Sequence, residues 1–255
     1  MNINDIRTQA SRFGMVLRGG FIPTDEDDVP YQLSGEAFGT LLIFGQLGSS
    51  IWTSFAMSVE LADGKPNPLD RWSYRIGSAL AKEFSGLALF PFQGPPWYPF
   101  GKWAQKAEAI RPSPLGILLH PHHGLWHAYR FAIALPDTIP IPTDLETAGL
   151  NRSASAAKNH VDASKAHACD QCAGRPCLSA CPVNAFTEGF YDVAVCCEYL
   201  NANPDAPCHH LGCRARGACP VGTDPGYNKE HNQFHMRQFL LGMDQRAHER
   251  AQDEN

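Results

Sequence analysis

All nine cysteines of the 255-residue chain fall between Cys169 and Cys219, so whatever chemistry thiolates perform here is confined to one short stretch. It opens Cys169-Asp-Gln-Cys172-Ala-Gly-Arg-Pro-Cys177-Leu-Ser-Ala-Cys181-Pro182, a C-x2-C-x4-C-x3-C-P run. A second set follows: Cys196 or Cys197, then Cys208, Cys213 and Cys219, the last again before a proline, Pro220. Soft thiolates at this density select iron–sulfur clusters or zinc. His209 and His210 beside Cys208 keep a mixed zinc site open, because zinc takes Cys and His at similar short spacings. Zinc does not call for paired Cys-Pro endings, however. Disulfides are disfavoured for another reason: Met1 to Met15 carries Asp5, Arg7 and Arg12 without an apolar run, so no signal peptide and no oxidising compartment are expected.

The first run resembles the C-x2-C-x2-C-x3-C-P element of bacterial ferredoxins, with two extra residues before Cys177. In two-cluster ferredoxins the cysteine before each proline ligates the other cluster. That resemblance implies one [4Fe–4S] cluster on Cys169, Cys172, Cys177 and Cys219, and a second on Cys181, Cys196, Cys208 and Cys213. The crossing has a chemical motive: a cubane needs four thiolates converging from different directions, and one short loop wraps only three corners. Cys197 is left over, and Cys196 and Cys197 could exchange roles.

The elements that must position this stretch come from the rest of the chain. With 44% hydrophobic residues and roughly 100 to 200 residues per domain, two domains are expected: residues 1–150, an α+β sheet-and-helix domain, and residues 151–255, a small ferredoxin-like domain with a C-terminal helix. A net charge of −5 without a basic patch argues against a nucleic-acid surface. No stretch of about 20 apolar residues is present to span a bilayer. A reducing cytoplasm is the expected setting.

Apolar spacing from Ile3 to Leu17 predicts a helix ended by Gly19-Gly20. The acidic run Asp25-Glu26-Asp27-Asp28 reads as a solvated face or a docking patch for a basic electron donor. Thr40 to Gly45 predicts a strand buried on both faces, followed by a serine-capped helix from Ser50 through Val59. Asn67-Pro68-Leu69-Asp70 opens a helix to about Glu83, with Asp70 near its amide end. Strands are predicted at Leu87 to Phe92, Ser113 to Pro121 and Leu125 to Leu135, and a polar terminal helix from Asn228.

Cys196-Cys197-Glu198-Tyr199-Leu200 resembles the Cys-x-x-Tyr-Leu element of the epoxyqueuosine reductases, which join a cobalamin-binding domain to two [4Fe–4S] clusters; the match favours Cys196 over Cys197. The N-terminal half is similar to that family and to the cobalamin-processing chaperones of the methylmalonic aciduria type C group. It is carried by Leu119-His120-Pro121-His122-His123-Gly124-Leu125-Trp126, Arg130, Leu135-Pro136 and Asn67-Pro68-Leu69-Asp70. The resemblance implies a nitroreductase-like fold, a bound corrinoid (cobalamin), and His120, Gly124 and Trp126 as its pocket. It implies a corrinoid reductase, or cobalamin-dependent reductase, fed by a redox donor protein. Against it stands an electron-carrier ferredoxin whose N-terminal domain only docks partners. The stretch that holds the family's catalytic acid has no counterpart, since Ala107 to Leu115 carries no aspartate, and the transfer-RNA-gripping helical repeats are absent; reduction of a transfer-RNA base is not expected.

Overall fold

The computed structural model describes residues 2–108, 110–141, 167–222 and 226–253, with side chains as far as Met243. The chain forms two compact units. One holds the chain up to Ile110 together with the strand that begins at His127. The other holds Arg111–Trp126 together with the cysteine segment and the helix after it. The expected boundary between residues 150 and 151 lies outside the described residues. The segment carrying His120, Gly124 and Trp126 thus belongs to the cysteine unit, an insertion that hydrophobic periodicity does not reveal.

In chain order the first unit runs α1 (Ile3–Ser11), β1 (Val16–Phe21), β2 (Thr40–Leu47), α2 (Trp52–Ala56), α3 (Val59–Ala62), α4 (Pro68–Glu83), β3 (Leu87–Leu89) and α5 (Phe100–Ala107). The chain leaves through the antiparallel pair β4 (Arg111–Pro112) and β5 (Leu118–Leu119) and returns as β6 (His127–Leu135). The architecture is mixed α+β, with an antiparallel sheet ordered β1-β2-β6-β3. Every residue of β2 is buried, because helices cover both faces of the sheet. On one face Phe100 and Trp103 of α5 pack on Leu41, Ile43, Ala132 and Ala134. On the other, Phe44 stacks on Phe131 at 5.1 Å, and α4 buries Trp72, Ile76 and Leu80. Alternation along each strand divides the apolar residues between the two layers.

Several expectations are corrected. The apolar stripe from Ile3 to Leu17 is split between α1, which ends at Ser11, and β1, and Gly19-Gly20 lies inside that strand. Gly19 is there for close approach: a Cβ would stand 2.6 Å from the carbonyl oxygen of Ala107. The single helix after Gly48 is two short ones. Ser50 does not cap the first; its hydroxyl accepts from the Leu47 amide at 3.3 Å, while Ser58 caps α3 through the Leu61 amide. The strand predicted from Ser113 to Pro121 shrinks to Leu118–Leu119, and the next begins at His127. Burial, not the helix amides, dominates at Asp70 and pushes its carboxyl above the ordinary value, with nearby Arg130 opposing.

Two charged contacts tie α5 to the sheet. Asp27, in the middle of the acidic run, takes the Lys106 ammonium at 2.5 Å, and its carbonyl accepts from the Trp103 indole N–H at 2.6 Å. Desolvation works against the Asp27 carboxylate, but Lys106 and Thr24 outweigh it and hold the carboxyl below its ordinary value. Part of the acidic run is therefore structural. Deeper in, Arg18 of β1 donates to Glu108 at 2.8 Å, with only 2% and 4% of the two side chains exposed. Tyr129 of β6 donates its hydroxyl to the same carboxylate at 3.1 Å, and Arg18 also donates to the Gln46 carbonyl at 3.3 Å. Its guanidinium carbon lies 4.9 Å from the Tyr129 ring centre. Desolvation, and then the Glu108 charge, push the Tyr129 hydroxyl well above its ordinary value, with Arg18 opposing.

Removing one partner of a buried pair strands the other charge, so Glu108→Ala is expected to destabilise the protein by about 3–5 kcal/mol. Asp27→Asn, at a half-exposed pair, is expected to cost under about 1 kcal/mol. Chemical denaturation of both variants checks this; equal losses would mean that the Arg18 contact is not what fixes α5.

Candidate metal centre

The cysteine unit is built from short pieces, each setting one or two thiols. A 3-10 turn (Ala168–Asp170) carries Cys169, α6 (Pro176–Ser179) carries Cys177, and Cys181 follows it. Next come the two-residue strands β7 (Phe186–Thr187) and β8 (Phe190–Tyr191), then α7 (Val193–Ala202) with Cys196 and Cys197, and α8 (Pro207–Leu211) with Cys208. Cys213 is the N-cap of α9 (Arg214–Gly217), and α10 (Lys229–Asp253) closes the unit. Pro176 and Pro207 at the first helical positions start helices too short to form on propensity.

Proximity divides the thiols into two groups. Cys169 lies close to Cys219, Cys177 and Cys172, and Cys219 and Cys177 are also close to Cys172. Cys196 lies close to Cys213, Cys197 and Cys181, and Cys213 to Cys208 and Cys181. Each cysteine that precedes a proline stands with the other run, the crossed grouping of the ferredoxin pattern. Cys197 shares the second neighbourhood, but the Tyr191 hydroxyl reaches Cys196. Tyr191 is itself clamped flat on Phe186, centroids 4.3 Å apart and planes within 6°.

Burial, and then the neighbouring thiolates, push the thiols of Cys169 and Cys196 up to about 11, with Tyr191 opposing at Cys196. Burial also raises Cys177, Cys213 and Cys219. Backbone N–H groups pull the other way: Leu178 on Cys177, Ala215 and Arg216 on Cys213, and Val221 on Cys219. The amide of Ala185 donates to the Cys181 sulfur at 3.4 Å. Amides thus point at the sulfurs of Cys177, Cys181, Cys213 and Cys219. The first four thiols line a cavity of about 210 Å3 together with Leu119, Leu125 and Val221. Among the described residues no three His, Cys, Asp or Glu side chains stand close enough to hold a single metal ion. The donor set, amide donors and cavity suit a cluster that spreads its ligands over several metal atoms.

The three residues matched to a corrinoid pocket all lie in the cysteine unit. His120 is buried, and its Nδ1 accepts from the amides of His122 and His123, both at 3.1 Å. Gly124, at φ +54°, lies so close to the loop after Cys219 that a Cβ would stand 1.9 Å from the Val221 carbonyl oxygen. Trp126 meets the Tyr227 ring edge-on at 5.4 Å and the Arg216 guanidinium at 4.7 Å. Arg216 also donates through Nε to the Leu125 carbonyl at 2.9 Å. The hairpin is a brace for the Cys219 loop. Tyr191, Arg216 and Gly222, whose φ of +66° brings it against His123 and Gly124, escaped the sequence reading because nothing in the cysteine spacing singles them out.

No protein-family model matches the chain, and no curated protein matches it.

Gly124→Ala and Gly174→Ala both place a side chain at positive φ, at a strain of roughly 1–2 kcal/mol each. Only Gly124 has backbone in the way; the position at Gly174 opens onto nothing within 4 Å. Gly124→Ala is expected to cost about 1–3 kcal/mol more, the usual penalty of overpacking. Denaturation midpoints of the two variants measure the difference, and equal midpoints would remove the brace from the argument.

Proposed function

We propose that this chain is an iron–sulfur electron-transfer protein holding two [4Fe–4S] clusters, one on Cys169, Cys172, Cys177 and Cys219 and one on Cys181, Cys196, Cys208 and Cys213. The observation that carries this reading is the crossed grouping, in which Cys181 and Cys219 each leave their own run for the other. Neither zinc nor disulfide chemistry requires it. When bound, such clusters exchange single electrons at potentials between roughly −700 and +450 mV, set by charge, burial and hydrogen bonds to sulfur. The chain supplies those levers. Amide donors to Cys177, Cys181, Cys213 and Cys219, and the Tyr191 hydroxyl on Cys196, favour the more negative, reduced state. The apolar packing of Leu115, Leu119, Leu125 and Phe186 opposes it by excluding water.

On this reading the cysteine unit is ferredoxin-like and works in the reducing cytoplasm, receiving electrons from a redox donor protein or reductase. The sheet unit is proposed to be nitroreductase-like and to meet the electron acceptor. Cobalamin is the acceptor that the family resemblance names. His120, Gly124 and Trp126 are poorly suited to be its pocket, since all three are committed to packing around the Cys219 loop. Those commitments favour the electron-carrier form of the reading, with the sheet unit docking a partner.

Anaerobic reconstitution is expected to load about eight irons per chain, four for each cluster. Cys219→Ser is expected to remove the cluster that Cys177→Ser removes, and Cys181→Ser the one that Cys208→Ser removes, as read by electron paramagnetic resonance. Pairing of Cys181 with Cys177 instead, or zinc in place of iron, would overturn the proposal. Titrating the same protein with cob(II)alamin separates the two forms: a changed corrin spectrum on adding dithionite supports the corrinoid reductase, and none supports the carrier.

A further inference from the structure

Outside the cysteine groups, α10 brings two imidazoles together. His231 and His235 are one helical turn apart, their Nε2 atoms are 3.0 Å apart, and their ring centroids are 4.7 Å apart with planes inclined by 29°. A straight N–H···N bond lying in both ring planes would add a ring radius of about 1.15 Å at each end and put the centroids about 5.3 Å apart. The rings are closer than that and lie nearer to parallel. Two imidazole nitrogens on one ion at about 2.05 Å, with an angle of about 94° between them, stand about 3.0 Å apart and put their centroids about 4.7 Å apart. The two nitrogens are therefore near enough to share an ion as well as a proton. Paired imidazoles suit nickel and copper, which stand at the high-affinity end of the divalent series for nitrogen donors.

The surroundings hold the two rings in place. Tyr227 stacks on His231 at 4.1 Å and 14° and lies over His235 at 5.3 Å and 23°. Phe234 meets His235 edge-on at 5.7 Å, and the Asn228 side chain accepts from the His231 amide at 2.8 Å. On the Tyr227 ring also sits the Arg216 guanidinium, 4.5 Å from its centre. His231 is fully buried and His235 half-buried. Among the described residues no third His, Cys, Asp or Glu completes a closed site, which leaves the other coordination positions to water or a small anion.

We propose that His231 and His235 form an open, two-nitrogen site for a divalent transition-metal ion of the nickel or copper class, separate from the cysteines and independent of whether these hold clusters. The test is calorimetric titration of the anaerobically purified full-length protein with Ni2+, comparing wild type, His235→Gln and, as a control, His209→Gln. Glutamine can keep a hydrogen bond to His231 and sits well in a helix, so folding is checked by thermal melting without metal. A one-equivalent Ni2+ step is expected in wild type and His209→Gln and is expected to be lost in His235→Gln, together with the Ni2+-dependent rise in Tm. Thiols, loaded or not, respond alike in all three once iron content is matched, so a failed cluster reading would leave this comparison intact. A step that persists in His235→Gln, or a wild-type titration indistinguishable from that variant, would reduce the pair to a shared proton and overturn the proposal.

Discussion

Thiols gathered in a low-dielectric interior lose the water that would solvate their ionised forms and repel one another once ionised, and the cysteine unit is arranged around that constraint. Burial and mutual proximity raise Cys169, Cys177, Cys196, Cys213 and Cys219 together, and amide donors turned toward sulfur offset only part of the cost. Four of the helices in this unit are ten residues or shorter, and its strands are two residues long. Such pieces do not stand alone. They are held by the thiol groups, by the small apolar cluster of Leu115, Leu119, Leu125, Phe186 and Ala215, and by α10.

The first unit solves a different problem by ordinary means. Its sheet is covered on both faces, and its buried ion pair is supplied with further partners: Arg18 reaches Glu108 and the Gln46 carbonyl, and Tyr129 donates to Glu108. A buried pair held this way adds little stability over apolar packing, but it fixes register, because only one placement of α5 satisfies the carboxylate from both β1 and β6.

Between the strands of that sheet the chain sends Arg111–Trp126 into the cysteine unit. The insertion brings His120, Gly124 and Trp126 into the packing of that unit. Gly124 and Gly222 allow two backbones to touch, and Arg216, located between cysteines of different groups, fastens the hairpin through the Leu125 carbonyl and Trp126. The same guanidinium borders Tyr227, so the brace of the Cys219 loop and the His231–His235 pair share one aromatic ring.

Much was legible in the order of residues. The α+β class, the buried strand at Thr40 and the helix from Pro68 to Glu83 follow from period and residue type, which act over a few positions and leave a local mark. What local pattern could not carry was decided by tertiary packing. Gly19-Gly20 reads equally well as a helix stop or as a strand crossed closely by Ala107, and only the position of α5 chooses. Ile3 to Leu17 kept one apolar stripe although two elements share it. His120, Gly124 and Trp126 were picked out as a set, but their task depends on the loop after Cys219, about a hundred residues away in the chain. The nearness of His231 to His235 was written in their spacing of four on the terminal helix; that Tyr227 and Phe234 pack against them was not. Local periodicity determines which elements form, and the partners that arrive from elsewhere in the chain determine what their side chains do.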